Sequence, residues 1–473
     1  MQSRKIVEIE ILDAITSRVD PFYEEIIQPC ISFNSVYWKQ GRYKKEKKEY
    51  LKKCYEIKKR SMLIGTGLIP RVCDYLKYKK IKYKITNENP VKIGSNLKRL
   101  DHIVNKKTGD RITLREDQIE AVTMALRQER GIIKAATGIG KSYIMLGIMR
   151  CLDSSENILV LCHTTSIIKQ LYDEFQNFFR SITMFGGDVD SEEKFKPFKK
   201  QVVLSTIQSF SMINPSEYSD YFSAVLVDES HRVSSTTGNY AQVLSNLLAP
   251  IRLGFTATPP TAQEAIFSYE RYLGPVIYEF GINEASKMEI LAKPHIIIKK
   301  AGFPSGLRDI RDYHTVYYEG IVANKSRNMQ IVEIVQECVT RGETVLIFVN
   351  KIEHGTNILS IADELGIEIA FVQGSSTTEI RERVKHELDN GVTKAVIATS
   401  VWKEGVNIRS LNNVINAGGG KSEIQTLQCI GRGLRITDEK KVVNIYDFFD
   451  SGSHYLISHF GDRMSLYCSL GWV

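Results

Sequence analysis

The chain has 473 residues, of which 43% are hydrophobic and 25% are charged. These proportions exclude a disordered or fibrous protein, and at roughly 150 residues per domain the length favours about three domains over one. No run of about 18 uncharged apolar residues occurs, and the eight cysteines form no CxxC pair. We therefore expect a cytoplasmic protein with free thiols, without a signal peptide, a zinc site or membrane contact.

The first hundred residues differ from the rest in charge. Between Lys39 and Lys84 there are 17 Lys or Arg against four acids, a surplus of 13 within a net charge of +8. Clustered lysines bind acidic polymers by displacing counterions from phosphates. The large side chains recur at a spacing that predicts one face of a helix: Tyr43, Tyr50, Leu51, Cys54 and Tyr55. We predict a small basic accessory domain over residues 1–105 that binds nucleic acid.

From about residue 110 onward, short β-branched runs alternate with amphipathic stretches of helix length. Their apolar continuity predicts parallel sheets covered by helices on both faces. The runs fall in two series: 131–136, 158–162, 202–205, 224–227 and 252–255, then 344–349, 368–372, 395–398, 413–415 and 442–446. The sequence thus predicts two successive α/β domains, over 106–285 and 325–473, joined by an irregular linker at 286–324.

A phosphate-binding loop follows the first of these strands. Residues 135–142 read AATGIGKS and open a predicted helix, whose N-terminus favours negative charge. The glycines permit backbone N–H groups to approach phosphate oxygens. Lys141 is expected to reach the β- and γ-phosphates of ATP, and the Ser142 hydroxyl to bind Mg²⁺. The loop residues that would surround the phosphates are Thr137, Gly138, Ile139 and Gly140.

Acidic, hydroxyl and guanidinium groups complete the predicted hydrolytic site. Asp228 and Glu229 follow a buried strand, where Asp228 can hold Mg²⁺ and Glu229 can deprotonate the attacking water. The next strand runs into two threonines, whose hydroxyls belong to the same sheet edge. In the second α/β domain, Arg432 and Arg435 lie among glycines, so their guanidinium groups can stabilise charge on the γ-phosphoryl group.

In order and content these segments resemble superfamily two helicases and translocases over about residues 111–450. The resemblance implies two tandem RecA-like domains preceded by the small α+β domain. The sequence DESH at 228–231 is closer to the DEAH and DExH branch than to DEAD-box enzymes. The layout is similar to phage UvsW-type branch-migration helicases.

The resemblance also implies roles for further residues. Arg115 and Gln118 belong to the adenine-recognition segment, and Gly405 and Asn407 to a motif that reaches the nucleotide. Coupling between nucleotide and motion is implied for His231, Thr256, Thr258 and Gln428. Contacts with nucleic-acid phosphates are implied for His163, Thr164, Thr165, Ser205, Thr206, Gln208, Asn350, Thr399 and Ser400.

The implied function is an ATP- and Mg²⁺-dependent motor that moves along one DNA strand. It would unwind or remodel branched DNA, such as forks and Holliday-type junctions, in replication, recombination or repair. We expect a monomer or weak oligomer, in the cytoplasm of a bacterial host. Three alternatives stay open: an RNA helicase of the same superfamily, an ATP-gated nucleic-acid clamp with little turnover, and the motor subunit of a nuclease. The third lacks a nuclease signature in the sequence.

Overall fold

The computed structural model describes most of the chain and divides it into two compact units. Unit 1 comprises Met1–Ala135 and Gly140–Phe280, and unit 2 comprises Ala136–Ile139 and Gly281–Val473. The described residues are 6–20, 24–40, 45–58, 61–87, 90–186, 201–304, 306–307, 309–399, 402, 408, 410–420, 430–431, 433–434 and 440–473.

The N-terminal part of unit 1 is a small domain built on a mixed sheet. Its elements are β1 (Val7–Ile11), β2 (Thr16–Asp20), α1 (Glu24–Ile27), β3 (Ser32–Gln40), β4 (Lys45–Lys53), β5 (Tyr55–Lys58), β6 (Ser61–Gly65), α2 (Ile69–Tyr78) and β7 (Tyr83–Asn87). The strand order is β5-β6-β2-β1-β7, antiparallel except for the parallel pair β1 and β7. Strand β1 buries Val7 and Ile9 and exposes Glu8, which is the alternation of a strand with one face on a core.

The helix predicted around Tyr50 is wrong, because this segment forms a β-hairpin. Strands β3 and β4 pair antiparallel from Ser32 opposite Lys53 to Gln40 opposite Lys45. No common apolar face exists there, since Cys54 and Tyr55 are buried whereas Tyr50 and Leu51 are exposed. Tyr43 lies outside the described residues. Strand pairing depends on the partner segment, which the spacing within one segment does not reveal.

The larger part of unit 1 is a seven-stranded parallel sheet with helices packed against it. A two-stranded ribbon, β8 (Ile103–Val104) and β9 (Arg111–Ile112), precedes it. The sheet strands are β10 (Arg130–Ala135), β11 (Ile158–Cys162), β12 (Ile182–Phe185), β13 (Val202–Thr206), β14 (Ala224–Val227), β15 (Ile251–Thr256) and β16 (Val276–Phe280). The helices are α3 (Glu116–Gln128), α4 (Lys141–Cys151), α5 (Thr165–Phe175), α6 (Ile207–Met212), α7 (Asn239–Leu244) and α8 (Gln263–Leu273).

The strand order of this sheet is β12-β13-β11-β14-β15-β10-β16. The five strands predicted from apolar continuity are confirmed, and they occupy the interior positions. Strands β12 and β16 were not predicted. Both are edge strands in which only the last residue, Phe185 or Phe280, is buried, so they lack the continuous buried run of a strand covered on both faces.

Unit 2 contains a six-stranded parallel sheet in the order β17-β22-β21-β18-β20-β19. Its strands are β17 (Lys293–Ala301), β18 (Val345–Phe348), β19 (Ala370–Val372), β20 (Ala395–Ala398), β21 (Asn413–Asn416) and β22 (Val442–Asp450). Its helices are α9 (Ile282–Lys287), α10 (Tyr313–Tyr317), α11 (Lys325–Thr340), α12 (Ile352–Glu364), α13 (Thr378–Asp389) and α14 (His454–Ser469).

The stretch expected to be an irregular linker contributes a strand to this second sheet. Strand β17 pairs with β22 over its whole length, from Lys293 opposite Val442 to Ala301 opposite Asp450. Its buried and exposed residues largely alternate, as expected for an edge strand with one covered face. With two parallel α/β sheets and a small N-terminal domain, the predicted fold class is confirmed. Among the described helices, none is long and apolar enough to cross a membrane.

Candidate nucleotide and nucleic-acid sites

The phosphate loop joins β10 to α4 with the geometry that its glycines predict. Gly138 and Gly140 adopt φ angles of +92° and +88°, in the left-handed region that favours glycine. A Cβ atom on Gly140 would lie 2.8 Å from Nε2 of Gln118, so glycine is required there on two grounds. Helix α4 begins at Lys141, and no described side chain caps it. Its first N–H groups are therefore suited to bind an anion.

Gln118 lies against this loop, as the resemblance implies for a residue near the nucleotide. It is 3% exposed, and its Oε1 atom accepts a hydrogen bond from the backbone N–H of Arg115 at 3.2 Å. The guanidinium of Arg115 donates two hydrogen bonds of 2.9 Å to Asp117. The start of α3 is thus fixed by its own side chains, and the amide of Gln118 is held beside Gly140.

The strand order explains how distant motifs reach one place. Strands β14, β15 and β10 are neighbours, with Val227 opposite Gly254 and Lys134 opposite Thr256. The carboxyl ends of parallel strands meet at one edge of a sheet. Three segments therefore share that edge: residues 228–231 after β14, residues 256–258 at the end of β15, and the start of α4 after β10.

Glu229 is held in an unusual backbone conformation beside this edge. Its φ and ψ angles are +45° and +47°, a left-handed conformation that costs a residue with a side chain roughly 1 kcal/mol. Nδ1 of His231 lies 3.2 Å from Oε2 of Glu229 and 3.2 Å from Oγ1 of Thr256. Thr256 in turn accepts a hydrogen bond from the N–H of Thr258 at 3.2 Å. Three predicted coupling residues, His231, Thr256 and Thr258, thus form one network with Glu229.

The donor set at this edge fits Mg²⁺. The Ser142 hydroxyl and the Asp228 carboxylate are hard oxygen ligands, which Mg²⁺ prefers. Burial raises the pKa of Cys162 well above its ordinary value, and the charges of Asp228 and Glu229 add to that increase. Two adjacent carboxylates at the end of one strand favour a cation at this edge. Within the described ranges no group of three or more His, Cys, Asp or Glu side chains is arranged to hold a metal ion.

The predicted nucleic-acid contacts of unit 1 gather at the ends of β11 and β13. These strands are neighbours, with Cys162 opposite Thr206, and Nδ1 of His163 lies 3.4 Å from Nε2 of Gln208. Thr164 caps α5 by accepting the N–H of Ile167 at 3.4 Å. The side chains of Thr165 and Gln208 are exposed.

Two of these predicted contact residues, Ser205 and Thr206, use their hydroxyls in hydrogen bonds within the protein. Ser205 is fully buried and donates to the carbonyl of Phe185 at 2.9 Å, so its hydroxyl does not reach the surface. Thr206 is 4% exposed and caps α6 by accepting the N–H of Ser209 at 3.0 Å. Ser205 is therefore not part of the nucleic-acid surface of unit 1.

In the part of unit 2 that follows Gly281, the structure describes two of the predicted site residues, Asn350 and Thr399. Asn350 is exposed after β18, and its amide donates to the carbonyl of Gly418 at 3.1 Å. Thr399 follows β20 and is 6% exposed. The others lie outside the described residues, and their roles stay predictions: Ser400, Gly405, Asn407, Gln428, Arg432 and Arg435.

Two contacts of Ser230, the residue after Glu229, were not predicted from the sequence: those with Tyr269 and Gly254. The hydroxyls of Ser230 and Tyr269 lie 2.7 Å apart, with Ser230 fully buried and Tyr269 3% exposed. A Cβ atom on Gly254 would lie 2.8 Å from Oγ of Ser230. A glycine inside a buried strand often marks such a close approach, and this was the available signal.

Two family models match the chain. The type III restriction enzyme res subunit matches residues 111–261, and the helicase conserved C-terminal domain matches residues 327–437. The chain is a superfamily two helicase. Among known proteins, the helicase is similar to the ATP-dependent DNA helicase uvsW of Enterobacteria phage T4, with 25% identity over 380 residues, or 74% of each chain.

Further similarities extend over much of the helicase. The DNA 3'-5' translocase XPB2 of Sulfurisphaera tokodaii is 23% identical over 408 residues, covering 78% of this chain and 88% of that protein. The solved structure of S. cerevisiae Dbp5, bound to RNA and ADP BeF3, matches the fold with a TM-score of 0.55 and 15% identity, covering 78% and 89% of the two chains. The two family models and the two curated relatives identify the helicase as a nucleic-acid-dependent ATPase.

Proposed function

We propose that the helicase hydrolyses ATP to move along DNA and to unwind or remodel branched DNA, such as forks and Holliday-type junctions. One observation carries the proposal: the hydrolytic acids and the nucleic-acid surface of unit 1 lie on adjacent strands. The backbone N–H of Asp228 donates to the carbonyl of Leu161 at 2.9 Å. Leu161 lies one residue before Cys162, which is followed by the partly exposed His163 and the exposed Thr165. A displacement of the segment with the acids is therefore transmitted to the nucleic-acid surface, and the reverse, through these paired strands.

The chemistry follows from the groups at this edge. Lys141 and the first turn of α4 hold the phosphates. Glu229 takes a proton from the attacking water, and His231 keeps the carboxylate oriented. Ser142 and Asp228 would hold Mg²⁺, which neutralises charge on the phosphates when it is bound. We assign contact with the γ-phosphate to Arg432 and Arg435 from the sequence pattern.

DNA is the proposed track because of the similar proteins and the basic N-terminal domain. The phage relative is named a DNA helicase and the archaeal relative a DNA translocase. The side chains of Lys79, Lys80, Lys82 and Lys84 are exposed near the end of α2 and on β7. We assign them to the phosphates of a duplex arm. Because one relative comes from a phage, we propose a bacterial cytoplasm as the place of action. We also propose a monomer or weak oligomer as the active form.

Steady-state ATP hydrolysis tests the proposal. The full-length protein is assayed without nucleic acid and with single-stranded, duplex, forked and four-way DNA, and with RNA of matched length. Lys141→Ala provides the blank, because loss of the phosphate-binding amine should stop hydrolysis. We expect stimulation by DNA that is largest on forked or four-way DNA. Assays of strand displacement and branch migration on the same substrates then measure how much unwinding and remodelling accompanies ATP hydrolysis.

Other outcomes point to the alternatives. Stimulation by RNA alone would assign the protein to RNA remodelling. DNA binding that survives Lys141→Ala, together with negligible turnover on every substrate, would favour an ATP-gated clamp. Cleavage of the DNA in the same assay would favour the motor of a nuclease.

A further inference from the structure

Helix α8 lies between two hydrophobic cores of unit 1. Phe267 belongs to the core of the N-terminal domain, whereas Tyr269 and Tyr272 belong to the core beneath the seven-stranded sheet. The helix follows Thr258 of the hydrolytic edge by a few residues. It therefore joins the accessory domain directly to the part of the sheet that carries the acids.

The face of α8 toward the N-terminal domain is held by charge and stacking. The ring of Phe267 stacks on Phe33 with centroids 5.1 Å apart and an interplanar angle of 14°. Arg71 donates two hydrogen bonds to the carboxylate of Glu270, at 2.5 and 2.7 Å, and its guanidinium lies 4.8 Å from the Phe267 ring centroid. Such bidentate pairs fix orientation as well as position.

Two glycines bring the domain into backbone contact with the helix. A Cβ atom on Gly67 would overlap the carbonyl oxygen of Glu270, and one on Gly65 would lie 2.5 Å from Cγ of Arg271. Contacts this close leave the N-terminal domain little room to slide along α8. Packed interiors transmit small shifts. A displacement of the N-terminal domain must therefore move α8 or break this interface.

The opposite face of α8 supports the hydrolytic acid. The hydroxyl of Tyr269 lies 2.7 Å from that of Ser230 in a fully buried position. Ser230 directly follows Glu229, whose left-handed backbone has to be held by its surroundings. Gly254 of β15 leaves space for the Ser230 side chain and limits where it can lie.

We propose that α8 couples the N-terminal domain to ATP hydrolysis, and that Tyr269 is the positioning residue that holds the Glu229 turn through Ser230. Tyr269 does not touch the nucleotide in this role. It fixes the direction of the Glu229 carboxylate, and movement of the N-terminal domain on its ligand alters that direction through α8. The inference rests on the proposed hydrolysis by Glu229.

Replacing Tyr269 by phenylalanine removes one hydroxyl and keeps the ring. We expect the DNA-stimulated kcat to fall about ten-fold, since one oriented hydrogen bond is lost, and the KM for ATP to stay within about two-fold. Tyr272→Phe is the matched control, because Tyr272 is a buried tyrosine of the same helix whose hydroxyl lies 3.5 Å from Ser245, away from the acids. The control should keep its kcat.

Equal losses in the two variants, an unchanged kcat in Tyr269→Phe, or a rise in KM alone would each overturn the positioning role. Urea unfolding of both variants measures any general damage. If Tyr269→Phe does not fold, Ser230→Ala removes the same hydrogen bond from the other side with the same expected kcat loss. In a folded double variant, the two losses should not add, because they delete one interaction.

A second variant tests the link to the N-terminal domain. Glu270→Gln weakens the pair with Arg71 at the contact between α8 and the N-terminal domain. We expect the stimulation by forked DNA to fall about three-fold while the unstimulated rate stays within about two-fold. Asp153→Asn, which breaks the pair with Arg99 elsewhere in unit 1, is the control. Full stimulation in Glu270→Gln would overturn the coupling through α8.

The two proposals fail in distinguishable ways. A wild-type protein that hydrolyses no more ATP than Lys141→Ala on any nucleic acid contradicts the proposed function. A wild-type protein that is stimulated by DNA, together with a Tyr269→Phe variant of equal kcat, contradicts only the inference about α8.

Discussion

Unit 1 and unit 2 both carry acids near the carboxyl ends of buried parallel strands, but the surroundings of these acids differ. In unit 1, Glu229 keeps 17% of its side chain exposed and lies beside His231. In unit 2, Asp447 and Asp450 of β22 are 0% and 4% exposed, and each is paired with a buried arginine. Acidic residues near strand ends are therefore assigned to chemistry in unit 1, whereas in unit 2 they form enclosed ion pairs.

The difference lies in how completely the charge is neutralised. Asp447 accepts hydrogen bonds from Nε and Nη2 of Arg463 at 2.7 and 2.9 Å and from the Tyr467 hydroxyl at 2.7 Å. An acid enclosed in this way has no surface left for water or substrate. A partly exposed acid in a negative environment can instead bind a cation or take a proton.

The largest effect is expected for the acid assigned to chemistry. Glu229→Gln keeps the shape of the side chain and removes the base, so DNA-stimulated hydrolysis should fall by about 10³-fold. The free energy of unfolding should change by less than about 0.5 kcal/mol, because the side chain is not enclosed by ion pairs. Steady-state hydrolysis and urea unfolding on the same preparation check both values. If Glu229→Gln lowered both the free energy of unfolding and the hydrolysis rate, the contrast between the acids of the two units would be contradicted.

The corresponding acid of unit 2 should show the reverse. Asp447→Asn leaves the Arg463 charge buried without its counter-ion, which should lower the free energy of unfolding by about 3–5 kcal/mol. Tryptophan fluorescence during urea unfolding is a suitable probe, because two of the three tryptophans, Trp402 and Trp472, belong to unit 2. Glu382→Gln in the exposed pair with Lys385 is the control, with an expected loss of about 0.5 kcal/mol or less. Equal losses for the two variants would contradict the structural role of Asp447.

Much of the first site could be predicted from sequence because its groups are contiguous in the chain. Lys141 and Ser142 share one loop with their glycines, and Asp228 and Glu229 directly follow an apolar strand. Local order also predicted the interior strands of both sheets. These features depend on residues close together in the chain, so periodicity and motif spacing find them.

The features that sequence reasoning missed depend on distant partners. Ser230 and Tyr269 are 39 residues apart, and nothing local distinguishes Tyr269 from other aromatic residues of α8. The hairpin of β3 and β4 and the edge strand β17 likewise exist because of their partners. The ion pairs of β22 resemble surface charges in sequence, and only their burial reveals their role.

Unit 2 should also respond to acid through a buried histidine. His354 is fully buried, its Nε2 atom donates to Oδ1 of Asn328 at 3.0 Å, and burial lowers its pKa to about 3. In the unfolded chain His354 binds a proton near its ordinary pKa of 6.5, whereas in the folded state it stays neutral down to about pH 3. The free energy of unfolding is therefore highest above pH 6.5 and falls as the pH is lowered toward 3. Between pH 6.5 and pH 4.5 the loss should be about 2–3 kcal/mol.

The difference between His354→Gln and wild type isolates this effect. The free energy of unfolding of the variant should fall less between pH 7 and pH 4.5 than that of wild type. His295→Gln is the control, because His295 also pairs with an asparagine, Asn444 at 3.1 Å, but is exposed. The control should follow the wild-type pH dependence. If all three proteins share one pH dependence, the buried histidine does not contribute.

The smallest expected effects concern surface charge, where the two units should differ in their contact with DNA. Lys82, just before β7, and Lys84, on β7, are exposed in the N-terminal domain. If each binds one duplex phosphate, each Lys→Gln change should reduce the slope of log Kd against log salt by about 0.9. Lys293→Gln, at an exposed lysine of unit 2, should leave the slope unchanged. Fluorescence anisotropy with a labelled forked DNA over a range of salt concentrations measures these slopes. Equal slopes for the three variants and wild type would show that Lys82 and Lys84 do not bind the duplex. A reduction confined to the two N-terminal variants would support the N-terminal domain as the place where a duplex arm acts on α8.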